Sequence, residues 1–519
     1  MRPDTHPAPG FVRRRTATGR ATSYRVGVSI LWFRRDLRLD DHPALVAAVA
    51  DGAPVVPLYV LDDALWPAAS ANRRSHLARS LAALDDATGG RLVVRRGDPR
   101  EVVPALAREV GASEVHVSAG HEPAGRRRDR DVAARLAELD VRLVATGSPY
   151  AVSPGRVRTG GGTPYQVFTP FRRAWLDHGW RAPAPRPEVT WADVRSDGLP
   201  AVPATSADLP EAGEAAALAR WREFLDDGLA GYGEARDRAD LDGTSMLSVH
   251  LKWGEIHART LLADLAAAQA DGAPADDVAT FRSELAWREF HADVLHHHPE
   301  ASSESLRAVV PDDAWADGPD ADAAFEAWAR GRTGYPFVDA GMRQLLATGW
   351  MHNRVRMVVA SFLVKDLHLP WQRGAAHFMA HLVDGDVPQN QLNWQWVAGT
   401  GRDAAPYFRV FNPVAQGLRF DPDGDYVRRW VPELRALRGK AVHEPWKHRA
   451  DDAPDDLFAA ADRSVEDDDP GPRRDADGSP ASGPRHPDPY PAPIVDHAHE
   501  RRVALDDFHR ARGSADPDR

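Results

Sequence analysis

Cysteine is absent from this 519-residue sequence, which excludes disulfides, thiolate metal ligands and a cysteine nucleophile together. No uninterrupted apolar run reaches the roughly 18 residues that a membrane-spanning helix needs. The first 27 residues also lack the apolar stretch of a secretory signal. We therefore expect a cytoplasmic protein whose chemistry depends on side chains other than thiols.

Two well-specified phosphate-binding motifs are missing as well. The sequence contains neither GxGxxG after a strand nor GxxxxGK[ST], so it does not read as a common NAD or ATP domain. The net charge of −11 argues against nucleic-acid binding through bulk electrostatics. A DNA-binding surface would have to be local. Residues 331–410 are the candidate, because eight Lys or Arg stand against five acids there among interleaved aromatic residues. A solvated basic face explains the same composition equally well.

Hydrophobic residues make up 43% of the chain, which is enough to build buried cores. From Val28, short β-rich runs such as VSILWF and VVPLYVLD alternate with segments of helical period, a pattern that predicts a Rossmann-like α/β domain with a parallel sheet. After about residue 215 the helical period dominates and predicts an all-helical domain. The predicted order is a disordered extension at 1–27, the α/β domain at 28–150, a linker at 151–215, the helical domain at 216–463, a disordered loop at 464–487, and a final helix and tail at 488–519.

The stretch LDGTSMLS, 241–248, joins a turn signal to small hydroxyl residues ahead of an apolar helix. Backbone N–H groups and hydroxyls in such a segment can hold an anion such as a phosphate. A plain helix N-cap at Thr244 or Ser245 explains the same residues, and the local sequence alone favours that simpler interpretation.

A second polar pattern lies in SELAWREFH, where Glu284, Trp287, Arg288 and His291 follow the i, i+3, i+4, i+7 spacing of one helix face. A functional surface and a buried structural ion pair explain this face equally well.

The stretch DGDVPQNQLNWQW, 384–396, places two carboxylates, several amides and two tryptophans within thirteen residues. Upstream, Arg356 enters an otherwise apolar helix and needs a carboxylate partner, which Asp384 or Asp386 could supply. Met357 beside it is by itself more typical of core filling than of a ligand contact.

Together these segments resemble the photolyase/cryptochrome family, and most closely the class I cyclobutane pyrimidine dimer photolyases. The similarity is carried by LWFRRDLRLDDHPAL, YQVFTPF, GTSMLS, ELAWREF, GYPFVDAGMRQLLATGWMHNRVRMVVASFLVKDL, DGDVPQNQLNWQW, FNPVAQGLRFDPDGDYVRRWVPEL and HEPW. It implies an α/β domain that often holds an antenna pigment, followed by a helical domain that buries one non-covalent FAD, active as FADH⁻. The implied function is that of a lyase, light-driven repair of pyrimidine dimers in DNA, by a protein that we expect to be a monomer.

The resemblance also implies individual roles. FAD contacts are expected from Tyr232, Thr244, Ser245, Met246, Leu247, Ser248, Arg288, Asn353, Arg356, Asp384, Asp386 and Asn390. A pocket for the flipped-out dimer is expected from Glu284, Trp287, Asn353, Met357 and Trp396. Catalytic roles are expected for Glu284, protonated and hydrogen-bonded to the dimer, for Asn390 at flavin N5, and for an electron-passing chain of Trp394, Trp371 and Trp315.

Some positions depart from the family pattern. Glu122 is kept in SAGHEPAG, but Gly120 stands where deazaflavin-binding members carry an acid, so the antenna could be deazaflavin, folate, another flavin or none. The rival function is a cryptochrome without repair activity. Asn390 argues against it, because plant-type cryptochromes carry Asp there and animal-type ones carry Cys. A six-four photolyase would be expected to show a pair of active-site histidines, whereas Met357 in WMHNRVRM resembles the dimer type.

Overall fold

A computed structural model of the chain describes residues 27–402, 409–447 and 489–514. The extension predicted at 1–27, apart from Gly27, and the loop predicted at 464–487 lie outside the described residues. Within the described ranges, no helix is long and apolar enough to cross a membrane.

The N-terminal domain is built on a five-stranded, fully parallel sheet with the strand order β3-β2-β1-β4-β5. Its strands are β1 Val28–Phe33, β2 Val55–Leu61, β3 Val93–Arg96, β4 Ala112–Val117 and β5 Arg142–Ala145. Its helices are α1 Pro43–Ala48, α2 Leu65–Ala68, α3 Ala71–Ala87, α4 Pro99–Val110 and α5 Pro123–Ala137. The central strand is apolar on both faces because helices cover both sides of the sheet. The predicted α/β domain is confirmed, with its topological switch point between β1 and β4.

The predicted linker is attached to the sheet for part of its length. Within it, Phe168–His178 form α6. Farther on, the backbone N–H of Val55 donates to Thr190 O, and Ala192 N–H donates to Val55 O, both at 2.9 Å. This segment therefore extends the hydrogen bonding at the start of β2.

The rest of the described chain is helical, as the sequence predicted. The helices are α7 Glu214–Glu223, α8 Tyr232–Ala235, α9 Ser248–Trp253, α10 Ala258–Ala270, α11 Ala275–His297, α12 Gly318–Ala329, α13 Pro336–Thr348, α14 Asn353–Lys365, α15 Trp371–His381, α16 Val387–Ala398, α17 Pro413–Phe420, α18 Asp425–Trp430, α19 Lys440–His443 and α20 His497–Ser514. One large apolar cluster unites α13 to α16, and a second packs α6 and α7 against α10 and α11.

A buried carboxylate joins the two domains. Asp41, in the loop before α1, forms an ion pair with Arg259 of α10, and its Oδ2 lies 3.2 Å from Nδ1 of His257. It also accepts a hydrogen bond from Ala184 N–H at 2.8 Å. Burial by itself would raise the pKa of Asp41, but His257 and Arg259 hold it below its usual value. One side chain thus ties together the sheet domain, the linker and the helical domain.

The C-terminal segment returns to the helical domain and is fixed by polar contacts. Tyr490 Oη donates to Asp339 Oδ2 at 2.6 Å, and Tyr335 Oη donates to Val495 O at 2.9 Å. At the start of α20, His497 Nδ1 lies 2.5 Å from Asp366 Oδ1. Residues 490–497 therefore complete the packing around α13 and α14.

Candidate functional site

The expected pair between Arg356 and a downstream carboxylate is present. Arg356 Nη2 donates to Asp384 Oδ2 at 2.8 Å, and Nη1 donates to Oδ1 at 3.3 Å. Its Nε donates to Met351 O at 2.7 Å. Two parallel N–H···O contacts fix both the position and the plane of the guanidinium. Of the two carboxylates left open by the sequence, Asp384 is therefore the partner.

Asp386 has a different partner, which the sequence did not indicate. Its Oδ1 accepts a hydrogen bond from Arg35 Nη2 at 2.6 Å. Burial by itself would raise the pKa of Asp386, but Arg35, Lys252 and Arg288 together hold it below its usual value. This carboxylate is therefore ionised in the fold, and a residue of the α/β domain orients it.

The segment 244–248 is held from behind by a cation. Arg220 Nε donates to Ser245 O at 3.1 Å, and its Nη2 donates to Thr244 O at 3.2 Å. Met246 adopts a φ of +51°, in the left-handed region that is rare for residues other than glycine. Trp350 Nε1 donates to Ser248 Oγ at 3.3 Å. With its carbonyls turned toward Arg220, the loop can direct N–H and hydroxyl groups to the other side.

Arg288 is a buried cation whose direct hydrogen-bond partners are neutral. Its guanidinium donates to Pro149 O at 3.1 Å and to Leu251 O at 3.3 Å, and it lies 4.5 Å from the ring centroid of Tyr150. Among the described residues, no carboxylate is within salt-bridge distance of it. A buried positive charge of this kind suits an anionic ligand group, so the residues present fit a phosphate-bearing cofactor.

Tyr232 is buried against aromatic rings of the second cluster. The ring centroid of Tyr232 lies 5.2 Å from that of Phe281. The guanidinium of Arg236 lies 5.8 Å from the Tyr232 ring centroid. Burial raises the pKa of the Tyr232 hydroxyl above its ordinary value. This tyrosine therefore stays neutral and can act as a hydrogen-bond donor.

The polar face of α11 opens toward solvent at its N-terminal half. Glu284 Oε1 accepts a hydrogen bond from Arg236 Nη1 at 2.6 Å, and its side chain is 33% exposed. The ring of Trp287 stacks on Phe168 with centroids 3.6 Å apart and planes 9° from parallel. One face of this indole is thus covered by a ring of α6. The hydrogen bond of Glu284 to the dimer that the resemblance implied stays a prediction beside this contact with a guanidinium.

The start of α14 adds a second cation beside the same opening. Asn353 is exposed at the first turn, and Met357 follows it one turn later, partly buried. Arg354 Nη2 pairs with Asp237 Oδ1 at 2.7 Å, and its Nη1 lies 3.8 Å from Met357 Sδ. The guanidinium side chains of Arg236 and Arg354 therefore flank the predicted substrate residues.

Helix α16 carries amide and indole groups at different depths. Asn390 is 8% exposed, and its Nδ2 donates to Ala375 O at 3.1 Å. The Trp394 indole is buried and packs on Gly374, where an added Cβ would lie 2.2 Å from Trp394 Cη2. Trp396, two residues farther, is only partly buried. Residues two apart on a helix point in different directions, so one indole faces the core and the other an opening.

The three tryptophans of the predicted electron chain differ in burial. Trp394 and Trp371 are buried, and Trp371 Nε1 donates to Ser305 Oγ at 2.9 Å. Trp315 is partly buried against the same apolar cluster. Among the described residues, Trp394 makes its ring contacts with Phe378, at 5.0 Å, and with Trp328, at 6.2 Å, rather than with Trp371. The role of the chain stays a prediction.

The carboxyl edge of the sheet carries the positions compared with antenna-binding members. Glu122 pairs with Arg35. An added Cβ at Gly120 would lie 2.9 Å from Asp129 Oδ2, and that carboxylate already pairs with Arg34. A larger acidic residue at 120 would therefore clash with an acid that is in place. The antenna, if one binds, stays unidentified.

Sequence reasoning missed several residues of this site. Arg35 is 351 positions from Asp386, and no periodicity relates two such distant residues. Arg236 and Asp237 lie in the charged run ARDRAD, which reads as a solvated turn. Trp350 is the first residue of the recognised WMHNRVRM, yet its contacts with Ser248 and Arg356 were not predicted. The available signal was the position of these residues within or beside recognised motifs.

In sequence, this chain is similar to two described families and to known enzymes. The sequence family described as the FAD binding domain of DNA photolyase matches residues 281–510, and the family described as DNA photolyase matches residues 29–188. A deoxyribodipyrimidine photo-lyase of Streptomyces griseus is 45% identical over 434 residues, covering 81% of this chain and 93% of that protein. One from Halobacterium salinarum is 39% identical over 517 residues, covering 94% and 100%.

Solved structures extend the comparison to the whole fold. A bacterial class III photolyase from Agrobacterium tumefaciens superposes with a TM-score of 0.82 at 37% identity, covering 96% of this chain and all of that one. A cryptochrome from Synechocystis gives 0.79 at 26% identity, covering 92% and 98%. An archaeal photolyase from Sulfolobus tokodaii, solved with two FAD molecules, gives 0.75 at 28% identity, covering 93% and 100%. The class I assignment expected from the sequence stays a prediction beside a class III neighbour.

Proposed function

This chain belongs to the DNA photolyase family, and from that premise we propose that it splits cyclobutane pyrimidine dimers by light-driven electron transfer from FAD. It is accordingly an FAD-binding DNA repair enzyme of the lyase class. The dimer as substrate and the electron-transfer route are the proposed part.

The proposal is supported by a difference in burial between the residues expected to hold FAD and those expected to hold the dimer. The residues expected to hold FAD include a buried set, Asp384, Asp386, Asn390 and Arg288, all at most 9% exposed. The residues expected to hold the dimer, Glu284, Trp287, Asn353, Met357 and Trp396, are all partly or fully exposed. A buried polar layer beneath an open layer of acid, amide, thioether and indole suits a cofactor covered by a removable substrate.

The open layer matches the demands of a flipped-out pyrimidine dimer. Extruding a damaged, poorly stacked dinucleotide costs only a few kcal/mol. Stacking on an aromatic ring returns about 1–3 kcal/mol per base, which Trp396 and the free face of Trp287 would supply. Arg236 and Arg354 would attract the flanking phosphates. The Glu284 carboxyl would contact the polar edge of the dimer, with Arg236 fixing its orientation.

The buried layer would hold the cofactor. The chemistry supplied by bound, reduced FAD is the donation of one electron to the dimer under blue light and its recovery after ring opening. Arg288 and the 244–248 loop would bind the phosphates, and the Arg356–Asp384 pair would orient polar groups toward the flavin ring. Asn390 would place an uncharged amide near the ring.

The second candidate is a cryptochrome, favoured by the fold shared with the Synechocystis protein. Asn390 favours repair, because the resembling cryptochromes carry Asp or Cys at that position. The exposed Glu284, Met357 and Trp396 set adds support, because a photoreceptor without a DNA substrate has no need of this open layer.

The test uses purified, photoreduced protein with an oligonucleotide that carries one thymine dimer. Blue light should restore thymine absorbance, and a dark sample should not. A parallel oligonucleotide with a six-four photoproduct distinguishes the two kinds of photolyase. A flavin spectrum with no recovery on either substrate would refute the proposal and favour the cryptochrome.

A matched pair of variants ties the activity to the site. Glu284→Gln should slow recovery by at least about tenfold, because it removes the charged partner of Arg236 and the carboxyl at the pocket edge. Its FAD content should equal that of the wild type. Glu326→Gln, in an exposed pair with Arg330 on α12, should change neither. Equal repair rates in Glu284→Gln and Glu326→Gln would show that Glu284 has no role in the reaction.

A further inference from the structure

Arg35 lies directly after β1, at the switch point of the sheet where open α/β domains usually place ligand groups. Its guanidinium reaches across to the helical domain. Nη2 donates to Asp386 Oδ1 at 2.6 Å, Nε donates to Lys252 O at 3.2 Å, and Nη1 donates to Glu122. One side chain of the α/β domain therefore contacts both the loop before α16 and the end of α9.

The position of Asp386 explains why it needs an external partner. Asp386 is the N-cap residue of α16, where an aspartate normally accepts hydrogen bonds from the helix N–H groups. Here its side chain makes no capping hydrogen bond, and Pro388 in the first turn has no N–H to offer. The carboxylate is instead directed toward Arg35, away from the helix that it begins.

The charges around this pair are buried or half-buried. Asp386 has a side-chain exposure of 5%, and Lys252 and Arg288 are the other cations that act on it. Burial, with the neighbouring Arg35 acting in the same direction, lowers the pKa of Lys252 to about 8. Burial would also lower the pKa of Arg35, yet Asp386 and Glu122 raise it above its usual value. Arg35 is thus the cation that supplies Asp386 with a hydrogen bond.

We propose that Arg35 is a positioning residue for the FAD site, which fixes the orientation of the Asp386 carboxylate from the opposite domain. The proposal rests on the proposed function only in assigning Asp386 to FAD. It gives the α/β domain a role in holding the flavin that does not depend on an antenna pigment.

The experiment compares Arg35→Met, Arg35→Lys and Arg34→Met in the FAD-loaded protein. Arg34 is the matched control, because it is adjacent but pairs with Asp129 inside its own domain. Three quantities are measured: the FAD dissociation constant, the midpoint potential of the flavin, and its visible absorption band shape. None of them requires a DNA substrate.

Arg35→Met should raise the FAD dissociation constant by about tenfold or more. It should also lower the midpoint potential, because a positive charge near the site is lost. Arg35→Lys should recover most of both changes, and Arg34→Met should leave both at wild-type values. Arg35→Gln should also weaken FAD binding in the wild-type background but not in the Asp386→Asn background, which keeps the test open if Arg35→Met does not fold.

Two results would overturn the inference. If Arg35→Met lowers the melting temperature but leaves FAD affinity and midpoint potential unchanged, Arg35 is only a structural contact between the domains. Equal effects of Arg34→Met and Arg35→Met would assign the change to the sheet edge in general. Failure of the proposed function is a separate outcome. A wild-type protein that binds FAD but does not repair dimers would refute the repair function and leave the comparison of the Arg35 and Arg34 variants unchanged.

Discussion

At the scale of single residues, the two tryptophans of α16 have separable roles because they lie at different depths. Trp396→Ala removes a partly exposed ring, whereas the buried Trp394 packs on Gly374. We expect Trp396→Ala to weaken binding to dimer-containing DNA by about 1–3 kcal/mol and to leave FAD content unchanged. Gel-shift titration and flavin absorbance measure the two. Trp66→Ala on α2 is the control, and an equal loss of FAD in Trp396→Ala would show that the ring supports the cofactor.

Glu289 carries a pH prediction of its own. It accepts hydrogen bonds from Trp175 Nε1 at 2.5 Å, Val152 N–H at 3.0 Å and Ala151 N–H, yet burial still raises its pKa to about 7 from 4.5. Since the folded-state pKa exceeds the unfolded one, the folded protein binds more protons between these values. Stability therefore falls as pH rises through this window.

The matched variant is Glu289→Gln, whose amide resembles the protonated acid. Wild-type unfolding free energy should lose about 2–3 kcal/mol more between pH 5 and 8 than that of Glu289→Gln. Urea unfolding at a series of pH values measures the difference. Parallel pH profiles for the two proteins would contradict the assignment.

At the scale of elements, α15 and α16 approach closely because Gly374 has no side chain. An added Cβ would lie 2.2 Å from Trp394 Cη2 and 2.5 Å from Leu363 Cδ2. Gly374→Ala should therefore separate the helices and cost about 1–3 kcal/mol of unfolding free energy, with weaker FAD retention. Gly125→Ala in α5 meets only Arg128 Nη2, at 3.8 Å, and should be neutral or stabilising. Thermal unfolding of both variants tests this, and equal melting temperatures would refute the close contact.

The sequence also predicted secondary structure and domain class better than individual contacts. Alternation of apolar runs with helical periods gave the parallel sheet, and the later helical period gave the all-helical domain, because local periodicity reflects which faces are buried. The Arg356–Asp384 pair followed from the cost of burying an unpaired charge. The partners Arg35 and Arg236 could not be predicted, because such contacts are made only when distant segments pack. The stacking of Trp287 on Phe168 was missed for the same reason.

At the scale of the whole molecule, Asp41 links both domains and the linker. Asp41→Asn leaves the buried Arg259 without its carboxylate, and breaking such a pair typically costs about 3–5 kcal/mol. We expect a large fall in the urea midpoint and faster proteolysis in the segment 179–213. Glu109→Gln, which breaks the exposed pair with Arg95, should change stability by less than about 1 kcal/mol. Similar losses in both variants would show that Asp41 does not join the domains.

The polar contacts of the C-terminal segment bear on the order in which the protein is made. Tyr490 and His497 bind Asp339 and Asp366, which belong to helix α13 and the end of α14. During translation those helices leave the ribosome more than a hundred residues before their partners. The packing around α13 and α14 therefore stays incomplete until the segment from Tyr490 to His497 has been synthesised.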